Sequence, residues 1–237
     1  MDITGYKKTQ DDGFPVHCAA RNGHLEIVKY LLDLQLGTIS VQDRNGCLPV
    51  HCAALKGSLE VVKYLLDLHP DMISAKNDHN DLSVHCAALK GHLEVVKYLL
   101  DLQPNMISVK NHNGYLPVHY AAFEGHLELV KYLLDLQPNT ISAKNNAGKL
   151  PVHCAALNGH LELVKYLLDL QLGTISVQDR TGSLPVHYAA RNGHLEVVKY
   201  LLYLLPDTIS AKDVSRAISI LDSPYEFFSR TRFEQYI

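Results

Sequence analysis

Fourteen histidines and five cysteines are the residues of this chain with the most chemistry in them. Imidazole and thiolate groups are the commonest zinc ligands, held about 2.0–2.3 Å from the ion. Their spacing argues against that use. Cys18, Cys52, Cys86 and Cys154 fall on one position of a 34-residue register, and Tyr120 and Tyr188 fill it in two further copies. Equivalent positions on stacked helices lie about 8–10 Å apart. Disulfide Cα pairs need less than about 7 Å, so this ladder neither cross-links nor shares a metal between rungs. The four thiols read as small buried hydrophobes. Cys47 stands apart, just after Gly46 at a predicted hairpin tip, and reads as an exposed free thiol.

The histidines form two series. His17, His51, His85, His119, His153 and His187 recur every 34 residues; His24, His92, His126, His160 and His194 form the second series, with Ser58 in the remaining place. A serine exchanged for histidine fits an N-cap-like role better than a metal ligand. Glu60 and Lys63 recur as an exposed i,i+3 pair, a solvated face. The sequence shows no glycine-rich phosphate loop, no nucleophile with a base and an orienting group, and no carboxylate pair outside the repeat. Every candidate recurs from copy to copy, whereas an active site is unique. The expectation is a protein that is not an enzyme and takes no metal or cofactor.

The elements that position these residues follow from one stretch, GKLPVHCAALNGHLELVKYLLDLQ at 148–171, near-copies of which run along most of the chain. Such a period signals a solenoid. Pro49 suits the first turn of a short helix, in which Val50, Ala53 and Ala54 share a face. Gly57 ends it. A second helix begins at Ser58, with Leu59, Val62, Leu65 and Leu66 as its apolar stripe and Glu60, Lys63 and Asp67 on the wet side. Pro70 ends that helix, and a polar connection leads to the next copy.

Two short helices joined by an extended turn resemble the ankyrin repeat. LPVHCAA at 48–54 stands where that family carries T-P-L-H-x-A-A, and GHLEVVKYLL at 91–100 is similar to its second-helix signature. The tetratricopeptide alternative, of similar length, needs a Trp-containing pattern, and this chain has no Trp. The resemblance covers six units, about 11–42, 43–76, 77–110, 111–144, 145–178 and 179–212. It implies an all-α solenoid of stacked helix–turn–helix units joined by hairpin-like loops. It also implies that each PVH histidine bonds backbone groups of the hairpin before it, and that the array is a protein-interaction scaffold. The chain departs from the family pattern in places. Leu48, Leu82, Leu116, Leu150, Leu184 and Phe14 replace the usual Thr, losing a hydroxyl cap worth roughly 1 kcal/mol per helix. Ser83 replaces Pro, Asn80 replaces Gly, and each unit carries one extra residue, placed around Gln103-Pro104-Asn105.

Composition agrees with a soluble protein: 47% hydrophobic, 20% charged, net charge −3. That balance gives no electrostatic case for nucleic acid, and no run is long and apolar enough for a membrane span. The opening MDITGYKKTQ lacks the apolar core of a signal peptide, so the expected compartment is a cytoplasm (that of a host, if the protein is a secreted effector) and the expected state a monomer. Residues 1–10 read as a polar leader. In the sixth unit Tyr203 and Leu205 replace polar residues, and 213–237 read as a degenerate helical unit that caps the stack. The other reading of that tail is a partner-binding or secretion segment.

Small Ala53 and Ala54 let the first helices approach, while Leu and Val hold the second helices wider. The stack is therefore expected to curve with tips and first helices on its concave, binding side. The positions after each Ala-Ala escape the copying: Arg21, Leu55, Leu89, Phe123, Leu157 and Arg191 at the first, with Lys56, Lys90 and Glu124 among those at the second. Hairpin tips add Cys47, Asp81, Tyr115, Lys149 and Ser183. The candidate partner-binding set is Leu55, Asp81, Leu89, Lys90, Tyr115, Phe123, Glu124, Lys149, Leu157 and Arg191. Apolar surface rimmed by charge suits an interaction patch, and Phe123 and Tyr115 are its expected hot spots. The competing reading is that the Leu residues only cover seams between first helices. The biological alternatives are a pathogen or viral effector engaging a host protein, or an accessory subunit whose tail recruits a partner.

Overall fold

Proline and glycine punctuate the chain where the repeat requires it. The computed structural model describes residues 14–34 and 39–205. Within these the regular elements are helical: twelve α-helices joined by hairpin-like loops and short 3-10 turns. The leader at 1–10 and the capping tail at 213–237 lie outside the described residues.

The chain divides into two compact units, the first ending at Ala121 and the second beginning at Ala122. The first unit holds α1 (Pro15–Arg21), α2 (Leu25–Leu34), α3 (Pro49–Lys56), α4 (Leu59–Leu68), α5 (Ser83–Leu89) and α6 (Leu93–Leu102). There α1, α3 and α5 pack side by side, and α2, α4 and α6 form a second row behind them. The boundary falls inside α7 (Pro117–Glu124). The second unit continues with α8 (Leu127–Leu136), α9 (Pro151–Leu157), α10 (Leu161–Leu170), α11 (Pro185–Arg191) and α12 (Leu195–Leu204). In it α9 packs on α11, and α10 on α12.

The first helices are buried nearly all round: in α3, every residue from Pro49 to Ala54 is buried. Alanine at the two closest positions permits this, since a larger side chain would hold the row apart. Gly57 closes α3 in the left-handed conformation at φ 82°, which a Cβ disfavours. In the second helices the buried set is Val61, Val62, Leu65 and Leu66. Val61 thus joins the stripe, and Leu59, expected in it, is half-buried; it sits in the first turn, beside the glycine turn, rather than against the core. The connection expected to be simply polar contains a 3-10 turn, as at Pro70–Ser74 and Pro104–Ser108. Each turn drops an apolar residue inward, Met72 and Met106 in these two. Among the described residues no helix is long and apolar enough to cross a membrane.

Candidate protein-interaction surface

Each hairpin is fixed by one acidic or amide side chain at its base. The Oδ1 atoms of Asp43, Asn77, Asn111, Asn145 and Asp179 accept the backbone N–H groups two and four residues on, at 2.8–3.0 Å. This is the short-range bonding that makes Asn and Asp turn residues. Neighbouring tips are tied backbone to backbone: Asp78 N–H donates to Asn45 O at 3.0 Å and His112 N–H to His79 O at 2.8 Å. In the second unit Arg180 N–H donates to Ala147 O at 2.9 Å.

The PVH histidines brace these hairpins from below. His51 Nδ1 accepts Leu48 N–H at 3.0 Å, and its Nε2 reaches Ala75 O at 3.1 Å. An Nδ1 that accepts leaves the proton on Nε2, so the ring is neutral and its tautomer is set by its neighbours. The imidazole thereby satisfies the N–H of Leu48, the residue before the helix, while His51 N–H donates to Leu48 O at 3.0 Å. His85 repeats the pattern with Leu82 N–H and Val109 O. The implied backbone bonding is present, and it extends forward to the end of the same unit as well, at Ala75 and Val109.

In the second histidine series, His92, His126, His160 and His194 stand at the N-cap position of their helices but make no side-chain cap hydrogen bond. Where its bonds are defined they run backward to the preceding repeat. His92 Nε2 donates to Leu55 O at 3.0 Å, His160 Nε2 to Phe123 O at 2.9 Å and His194 Nε2 to Leu157 O at 3.0 Å. The rings lie over Gly57, Gly125 and Gly159, where any Cβ would collide with them. These histidines latch one repeat to the one before. Ser58 takes the same place over Gly23 with a smaller side chain.

The predicted partner residues separate by exposure. Leu55, Leu89, Phe123 and Leu157 are all half-buried at the ends of α3, α5, α7 and α9. Lys90, Glu124, Tyr115 and Lys149 are also half-buried, and Arg191 is exposed. Asp81 departs from expectation. It is buried, and its carboxylate accepts Asn111 Nδ2 at 2.9 Å and the Tyr120 hydroxyl at 3.2 Å. Burial beside Asp81 raises the Tyr120 pKa strongly, so the phenol keeps its proton. Cys47 also departs: its thiol is half-buried, receives Asn77 Nδ2 at 3.5 Å, and burial pushes its pKa up to about 12. It is not the exposed reactive thiol its tip position suggests.

Tyr188 was missed. Its hydroxyl donates to Asp179, Lys149 Nζ lies 4.4 Å from its ring centroid, and the Arg191 guanidinium lies 6.0 Å from it. Burial lowers the Lys149 pKa, and the charge of Arg191 lowers it further. Burial works to raise the Asp179 pKa, but hydrogen bonds from Tyr188, Thr181 and backbone N–H groups outweigh it and hold it low. The signal was a tyrosine at a cysteine register position with an acidic residue at the base of its hairpin. No group of three or more potential metal ligands occurs among the described residues.

Paired short helices, glycine-closed, with a PVH histidine under each hairpin, give the repeat its geometry. Family models for ankyrin repeats match residues 3–77 and 136–213, and 84–134. The chain belongs to the ankyrin-repeat family. Ankyrin repeats generally mediate protein–protein interaction, and proteins built from them are typically non-catalytic. No curated protein matches the chain.

Proposed function

We propose that this ankyrin-repeat protein is a non-catalytic scaffold that binds a protein partner through its hairpins and the ends of its first helices. One observation carries the reading. The position after each Ala-Ala varies between otherwise copied first helices and is half-buried or exposed: Leu55 and Leu89 in the first unit, Phe123, Leu157 and Arg191 in the second. The buried Val and Ala-Ala of the same first helices are copied unchanged, so variation at the accessible position after them tunes what the surface meets. Half-exposed apolar side chains beside charge supply contact area and orientation together.

Phe123→Ala tests this. Its backbone carbonyl accepts Asn158 Nδ2 and His160 Nε2 at 2.8 and 2.9 Å, bonds that alanine retains. The expected loss is more than about 1 kcal/mol of partner affinity, as at a hot spot, with the urea unfolding midpoint nearly unchanged. A lowered midpoint with unchanged affinity would make Phe123 a packing residue and remove the proposed surface.

A further inference from the structure

Charge is segregated by layer. In each second helix a Glu and an Asp accompany one Lys, as Glu60, Asp67 and Lys63 do in α4, for a net charge of −1. The sixth repeat alone lacks the Asp, having Tyr203. Each of those lysines is already paired with its Glu at 2.7–3.2 Å. The hairpin and first-helix layer has the opposite net charge, although Arg21 is itself paired with buried Asp43 at 3.6 Å. In the first unit it presents Arg21, Arg44, Lys56, Lys76, Lys90 and Lys110 exposed or half-buried, against exposed Asp78. In the second unit it presents Lys144, Lys149, Arg180 and Arg191 against half-buried Glu124. The remaining acids of this layer, Asp43, Asp81 and Asp179, are buried. A protein of net charge −3 thus carries a cationic layer in both units.

We infer that the partner is an acidic protein segment, rich in Asp and Glu with interspersed apolar residues, that docks on the hairpin and first-helix layer. The inference rests on the binding face proposed above and adds the partner's chemistry. Complementary potential steers such a segment to this layer and away from the acidic second helices. Lys149 and Arg191 flank the Tyr188 ring, so two like charges are held near one aromatic surface. Asp179, bonded to the Tyr188 hydroxyl, already attracts Lys149; a partner carboxylate placed there adds to that attraction, and burial has already removed part of the hydration of Lys149. Leu55 and Leu89 lie among the cations in one unit, and Phe123 and Leu157 in the other. That interleaving suits a mixed acidic and apolar chain better than a phosphate backbone, which offers nothing apolar to these side chains.

The test uses the full chain as bait for a displayed library of random peptides, with affinities of the selected peptides measured by fluorescence anisotropy. Acidic peptides should be enriched. Arg44→Gln, Lys76→Gln and Lys110→Gln together, or Lys144→Gln, Arg180→Gln and Arg191→Gln together, should weaken them about tenfold, chiefly in on-rate. Lys63→Gln, Lys97→Gln and Lys131→Gln remove the same charge from the second helices and should stay within about twofold. Circular dichroism melts of the three variants confirm that each remains folded. Neutral or basic selected peptides that still need Phe123 overturn the acidic partner and leave the binding face standing. Acidic peptides lost with the second-helix variant overturn both. A single-stranded oligonucleotide bound more tightly, with the same dependence on the hairpin cations, replaces the protein partner with nucleic acid. A library in which no acidic sequence is enriched overturns the inference.

Discussion

Where four repeats carry cysteine, the fourth carries Tyr120, whose hydroxyl lies 3.2 Å from Asp81 Oδ1 while Asn111 Nδ2 lies 3.0 Å from the same hydroxyl oxygen. Asp81 is therefore a buried carboxylate held by two side chains from the following repeat. Tyr120→Phe keeps the ring and removes one of them. The expected cost is about 1–3 kcal/mol, that of leaving a buried acceptor short of a donor, read as a lower urea midpoint. Tyr188→Phe should cost a similar amount, because the bonds from Thr181 N–H, Thr181 Oγ1–H and Ser183 N–H all fall on Asp179 Oδ1, whereas Tyr188 donates to Oδ2. An unchanged midpoint in both variants would show that ring packing, and not the carboxylate bond, is what these tyrosines supply.

At the scale of the element, α5 breaks the repeat's own rule by opening on Ser83. Its hydroxyl is fully buried without a hydrogen-bond partner. The preceding Leu82, at φ −85° and ψ 165°, has nearly the geometry of Leu48 before Pro49, at φ −83° and ψ 163°. An extended residue before proline is what proline requires. Ser83→Pro should therefore stabilise the chain by about 0.5–1 kcal/mol, by restricting the unfolded state and removing an unsatisfied hydroxyl. A lower unfolding midpoint would mean that α5 starts differently from α3. The same comparison shows what the sequence makes legible. Pro49, Gly57 and the valine–leucine stripe act within one helix, so periodicity finds them. Asp81, Cys47 and the second histidine series were misread because their partners lie about one repeat away, at Asn111, Asn77 and the carbonyl of Leu55. A hairpin position read alone looks solvent-facing, and a histidine before a helix looks like a cap. Stacking turns the first inward and the second backward. For the candidate surface, the apolar positions after Ala-Ala were readable from their variation. The cationic layer needed the burial of three acids, which composition hides.

At the scale of the whole molecule, the neutral PVH histidines tie stability to pH. Burial lowers the pKa of His17, His51 and His85, and that of His153 to about 4. Geometry supplies a second cause. Nδ1 of His51, His85 and His153 accepts a backbone N–H at 3.0–3.1 Å, so a proton added there would face another donor. Above pH about 6.5 the rings are neutral in both the folded and the unfolded chain, and their contribution is constant. As pH falls below that value the unfolded chain takes up protons that the folded chain refuses. Each histidine then removes about 1.4 kcal/mol of stability per pH unit, until its folded pKa is reached. Three of these rings lie in the first unit and His153 in the second. Urea titrations at pH 8.5, 7.5 and 5 should show stability nearly level over the first interval and falling steeply over the second. His153→Gln keeps an acceptor for Leu150 N–H and removes one titrating group, so it should flatten that fall by about one proton per molecule. Stability unchanged between pH 7.5 and pH 5 would mean that the rings accept protons without losing their backbone bonds, and the bracing role assigned to them would fail.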